Sequence, residues 1–211
     1  MRTRISRAGY PSTLGVVLAA GFVLLLPSLA MQITDEVIWD LADFAVAAAL
    51  LVGTGLTYEL AARNAGNIAY RAAVGVALAA ALLLVWINLA AGIIGTEDNP
   101  ANLMYIAVLT VGLMGAIIAR LQPQGMARAL FATALAQALV AAIALIAGWG
   151  LPWSGPAEIL GLNGFFIALF AGSAWLFRRA ARGRPERSGV CPLAVSSSLR
   201  ASAAPQRKRW A

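Results

Sequence analysis

Six apolar runs, each about as long as a bilayer is thick, leave this chain few folds to choose from. They fall at 13–31, 37–62, 72–94, 101–119, 127–148 and 158–177. A hydrocarbon layer about 30 Å thick is crossed by roughly 20 residues of helix. With 61% hydrophobic and 12% charged residues among 211, the chain has more apolar surface than one water-soluble core would hide. The sequence therefore predicts an all-α fold: a polytopic membrane helical bundle with six transmembrane helices in a domain over 13–177. The connections are short, which makes successive helices antiparallel neighbours.

The charges then set a direction. Arg2, Arg4 and Arg7 precede the first run, Arg63 and Arg71 follow the second, and Arg120 and Arg128 follow the fourth. Arg178, Arg179, Arg182, Arg184 and Arg187 follow the sixth, so all sixteen Lys and Arg residues fall on one side. The alternate loops, "QITDE", "GTEDNPAN" and "GWGLPWSGPAE", carry Asp35, Glu36, Glu97, Asp98 and Glu158 and no base. By the positive-inside rule both termini are expected in the cytoplasm. Residues 1–12 read as a basic N-terminus, and 178–211 as a basic tail of disordered composition. The arginines that open the tail can hold anionic lipid at the cytoplasmic face, although a stop-transfer cluster explains them as well. The first run, ending in "PSLA" at Ala30, also resembles a secretory signal. Cleavage there would leave five helices in the same orientation.

Residue types that are missing narrow the chemistry. The chain has no His and a single Cys, Cys191, so the usual ligand sets for a metal or haem cannot be assembled. No cofactor is indicated. The net charge of +7 lies in short clusters without interleaved aromatics, which argues against nucleic acid as a partner. No catalytic motif or phosphate-binding loop is found.

The second run raises a sharper question. On a helix, Glu36, Asp40, Asp43, Ala47, Thr54 and Tyr58 share one face, which should point into the bundle or a wet cleft. Asp40 is expected at the interface and Asp43 about one turn deeper, on the order of 6 Å. An Asp at the bilayer centre costs about 2.5 to 3.5 kcal/mol, and less toward the interface. Asp43 therefore needs a partner, a proton or water. Asn88 and Asn163 stand at similar depth, so Asp40, Asp43, Asn88 and Asn163 form a candidate intramembrane polar or ion site. Thr110 and Gln137 lie nearer their helix centres. Such groups otherwise serve as interhelical hydrogen-bond partners, each contributing about 0.6 kcal/mol. Glu59 and Arg63, four apart with the acid first, read as a structural ion pair. Asp98 or Asn99 is placed to cap the fourth helix, with Pro100 at its first position. Small residues pair at packing spacing in Gly75 with Ala79, Gly112 with Ala116, Gly115 with Ala119 and Ala168 with Gly172.

The blocks "AMQITDEVIWDLADF", "YRAAVGVALAAALLLVWINLAAGIIGTEDNPANLMY" and "GMARALFATALAQALVAAIALIAG" resemble a family of small bacterial inner-membrane proteins without an assigned activity. The resemblance covers about residues 28–177 and implies the location and the span pattern, not a set of catalytic residues. Two functions are then expected. One is a structural or accessory component of the bacterial inner membrane, working within the lipid bilayer with a second copy or another membrane protein as partner. The other is a small proton- or cation-coupled permease or channel using Asp43. An enzyme pairing Asp40 with Asp43 ranks below both.

Overall fold

The computed structural model describes residues 13–33, 39–63, 67–96 and 98–182. Arg2, Arg4, Arg7, Asp35, Glu36, Glu97, Arg184, Arg187 and Cys191 lie outside these residues, as does the expected tail beyond 182. The described chain is all-helical: α1 (Thr13–Ile33), α2 (Leu41–Arg63), α3 (Ile68–Ala90), α4 (Met104–Ala119), α5 (Pro123–Ala147) and α6 (Pro156–Arg182). A 3-10 turn, Pro100–Leu103, leads into α4. With that turn counted into the fourth, six helices are long and apolar enough to cross a membrane.

The helices pack as a row whose order differs from the sequence. α5 lies between α4 and α6, α3 packs on the far side of α6, and α2 and α1 follow outward from α3. The core runs through α3 to α6, where Tyr105, Phe166, Phe170, Phe177 and Leu84 are all but sealed from solvent. Tyr70 meets Phe177 edge to face, with ring centroids 5.1 Å apart. α1 buries only Val16 and Ala20, while Phe22 is 70% exposed. This large uncovered apolar surface is what the composition requires once the core is full.

Small residues govern how closely the helices approach. A methyl added to Gly115 would lie 2.6 Å from the Ala129 Cβ, so α4 can sit on α5 only with glycine there. Gly75 faces Tyr58 and Gly112 faces Thr133, placing these two at interfaces as well. Ala168 and Gly172 differ. They lie on the exposed face of α6, and Gly172 has nothing within 4 Å of a built Cβ.

The helix ends depart from the hydropathy pattern wherever a polar side chain sets them. α3 begins at Ile68, not near 72, because the Asn67 side chain accepts the N–H of Ala69 at 2.8 Å. It stops at Ala90, not 94, although the next residues include two isoleucines. There Gly92 and Gly95 take positive φ of 70° and 73°, a region glycine enters freely. The turn folds Ile93 and Ile94 back into the core at 1% and 0% exposure. Asn102 holds it: its Oδ1 accepts the N–H of Ile93 at 3.1 Å and of Ile94 at 2.9 Å, and its Nδ2 donates to the Thr96 carbonyl at 2.7 Å. The side chain of Asn99 caps the 3-10 turn through the Ala101 N–H. α5 starts four residues early at Pro123, whose missing N–H is harmless at a first helical position. α6 continues through Arg178 and Arg179 to Arg182, so the expected break after 177 is a change of composition within a helix.

Asn102→Ala strips the acceptor from two buried N–H groups, and each orphaned group costs about 1 to 3 kcal/mol. The expected loss of stability is about 2 to 4 kcal/mol. Thr110→Ala, at an exposed hydroxyl bonded only to its own helix, should change stability by well under about 1 kcal/mol. Thermal unfolding in detergent compares the two.

Candidate functional site

The carboxylates that open α2 satisfy each other's backbone. The Asp43 N–H donates to Asp40 Oδ1 and the Asp40 N–H donates to Asp43 Oδ2, both at 2.9 Å. This is a reciprocal capping box with Asp in both places, and it occupies two N–H groups that the first turn would otherwise leave open. Negative charge at a helix N-terminus adds about 0.3 to 1 kcal/mol at an exposed site. Both side chains are exposed. Asp43 therefore has a local structural partner, the backbone of Asp40, which "DLAD" carries as a spacing signal.

Beside this cap a groove runs between α2 and α3. Trp39, Asp43, Val46, Ala47 and Leu50 line one wall and Trp86, Leu89 and Ala90 the other, around a cavity of about 340 Å³. The indoles of Trp39 and Trp86 stand 5.6 Å apart at 44°, and Trp39 meets the Phe44 ring edge-on at 5.3 Å. Of the face expected on α2, Asp43 and Ala47 both line this groove, the first exposed and the second buried, and Tyr58 lies against Gly75 of α3.

The two asparagines expected beside Asp43 have other partners. Asn163 is fully buried, and its Oδ1 accepts from the Tyr105 hydroxyl at 3.1 Å and from Gln137 Nε2 at 2.9 Å. Its own amide donates to the Ile159 carbonyl at 2.8 Å. This cluster ties α4, α5 and α6 together. Asn88 donates to the Asn102 carbonyl at 3.3 Å and so belongs to the turn after α3. Among the described residues no hydrogen bond joins Asp43 to Asn88 or Asn163. The face each side chain takes in the packed row was not readable from the sequence. Gln137 Oε1 and Asn88 Oδ1 are buried without a hydrogen-bond partner among the described residues.

Sequence reasoning missed Tyr105 and Asn102. "NPAN" held a signal for Asn102, since asparagine competes for backbone groups near turns. Thr110, expected as a central polar group, faces outward and donates to the Ile106 carbonyl at 2.7 Å.

At the opposite end, Arg63 Nη2 lies 2.8 Å from Glu59 Oε1. The Glu59 side chain is 4% exposed and that of Arg63 is 58% exposed, so the guanidinium covers a carboxylate held under it. The Thr13 hydroxyl approaches the other Glu59 oxygen at 3.5 Å, linking α1 to α2. Arg179 stacks over the Trp175 ring at 3.7 Å. Among the described residues, no three His, Cys, Asp or Glu side chains come together in a way that could hold a metal ion.

The fold and these sites define an all-helical protein whose six apolar helices are compatible with an integral membrane protein. Comparison with protein-family models, with curated proteins and with solved structures finds no match.

The Asn163 cluster makes a ranked prediction. Asn163→Leu leaves the Tyr105 hydroxyl and the Gln137 amide without their acceptor and should cost about 2 kcal/mol or more. Gln137→Leu removes one donor whose oxygen is already unpaired, and should cost less than about 1 kcal/mol. Unfolding in detergent that ranks them the other way would sink this account of the core.

Proposed function

We propose that the chain is a multi-pass protein of the bacterial inner membrane, with both termini in the cytoplasm, serving as a structural or accessory component. The observation that carries this is how the deep polar groups are used. Tyr105 and Gln137 both donate to Asn163, and the Ser173 hydroxyl donates to the Ala73 carbonyl at 2.7 Å. Groups consumed in helix-to-helix bonds hold a bundle together rather than line a path. The seven described arginines all lie toward one end of the helices, and Asp40, Asp43, Asp98 and Glu158 toward the other, which supports the orientation. The resemblance of the sequence blocks supports the bacterial location. Lipid would cover the exposed apolar faces, and anionic lipid would meet Arg178, Arg179 and Arg182. The open Ala168 and Gly172 face of α6 supports close approach by a second copy or another membrane helix.

A proton- or cation-coupled permease or channel is the second proposal, favoured by the position of Asp43 at the mouth of a groove. Asp40 would stand at its entrance, and the pathway would run without Asn163, whose amide is used between α4, α5 and α6.

Proteoliposomes separate the two. A structural or accessory role predicts that wild type and Asp43→Asn both give proton and cation fluxes equal to empty liposomes. Wild-type flux that disappears in an equally stable Asp43→Asn variant would replace that role with the permease.

A further inference from the structure

The groove between α2 and α3 has a chemistry of its own. Among the described residues that line it, Asp43 is the only charged one, and the others are two indoles and aliphatic side chains. The nearest arginine on α2, Arg63, lies about 30 Å away along the helix at 1.5 Å per residue. Capping the Asp40 N–H occupies one of roughly four acceptor positions on a carboxylate, leaving the others for a ligand. Indole offers the strongest cation-π face among the aromatic side chains, and the indoles of Trp39 and Trp86 both border the cavity.

We propose that this groove binds an organic monocation with a compact apolar body, an alkyl- or arylammonium that carries no anionic group. Asp43 supplies the counter-charge, Trp39 and Trp86 face the cationic methyl or methylene groups, and Val46, Leu50 and Leu89 cover the hydrocarbon. The volume of about 340 Å³ lies at the small end of the range for small-molecule sites, which limits the ligand to a compact one. A bare metal cation is a poor fit, because hard ions take six or more oxygen ligands and the described walls offer one carboxylate. A phospholipid headgroup is a poor fit as well. Its phosphate sits beside its amine, and among the described residues no lysine or arginine lines the groove to receive it. The inference rests on binding alone and does not depend on whether the protein conducts ions.

The test is calorimetric titration of the purified full-length protein in a non-ionic detergent, at fixed ionic strength. The ligand is benzyltrimethylammonium, with its neutral isostere neopentylbenzene and the headgroup fragment phosphocholine as comparisons. The expected result is saturable binding of the cation at one site, at least tenfold tighter than the isostere and at least tenfold tighter than phosphocholine. Asp43→Asn, whose amide oxygen can still accept the Asp40 N–H, should weaken the cation at least tenfold with its unfolding temperature preserved. Trp86→Leu should weaken it severalfold and serves as the independent variant if Asp43→Asn does not fold. Equal affinity for cation and isostere, or affinity indifferent to both substitutions, overturns the proposal. Phosphocholine bound as tightly as the cation overturns it in favour of a lipid headgroup.

Discussion

A chain with this much apolar surface has to satisfy its polar groups within itself. Each buried N–H or C=O left without a partner costs about as much as a lost hydrogen bond, and the interior has few spare donors or acceptors to offer. Helices solve the problem along their length and leave it unsolved at their ends. The ends are where this protein spends its short polar side chains. Asp40 and Asp43 cap α2, Asn67 caps α3, and Asn99 caps the turn before α4. In the turn after α3, Asn102 accepts the N–H groups of both Ile93 and Ile94, so their packing in the core depends on one amide.

The same economy explains how much could be read from the sequence. Six helices were legible because apolar length is a one-dimensional property, and their ends near Arg63 and Ala119 fell within a residue of the hydropathy boundary. The ends of α3 were four residues off, because "AGII" is as apolar as a helix core yet is pulled into a turn by an asparagine further along. Hydropathy has no term for that bond. The site was legible in a different measure. The placement of Asp43 near a helix mouth and the proximity of Glu59 to Arg63 followed from spacing along one helix. The grouping of Asn163 with Tyr105 and Gln137 depends on which helices are neighbours, and the row order α4, α5, α6, α3 is not the order of the chain.

The loops at the two ends of the helices are built differently. One end is joined by amide and hydroxyl bonds between loops: Asn99 donates to the Trp149 carbonyl at 3.0 Å, and the Gly95 N–H donates to Ser154 at 3.2 Å. At the other, the Tyr70 hydroxyl reaches the Leu121 carbonyl at 2.9 Å, where Arg120 and Leu121 hold positive φ of 46° and 57°. Non-glycine residues in that region carry a cost of about 1 kcal/mol or more each, which the tight turn between α4 and α5 imposes. α2 and α3 meet away from this densely bonded core, and their junction keeps the open groove.

The bond from Ser173 to the Ala73 carbonyl spans 100 residues of sequence. A ribosome adds roughly 5 to 20 residues per second. The alanine face of α3 therefore emerges on the order of 5 to 20 seconds before the helix that covers it. During that interval the nascent chain presents Ala73 and Ala80, later sealed completely, to whatever lies beside it. Assembly of this row is thus a matter of timing as well as affinity: the third helix waits, and the sixth closes the structure.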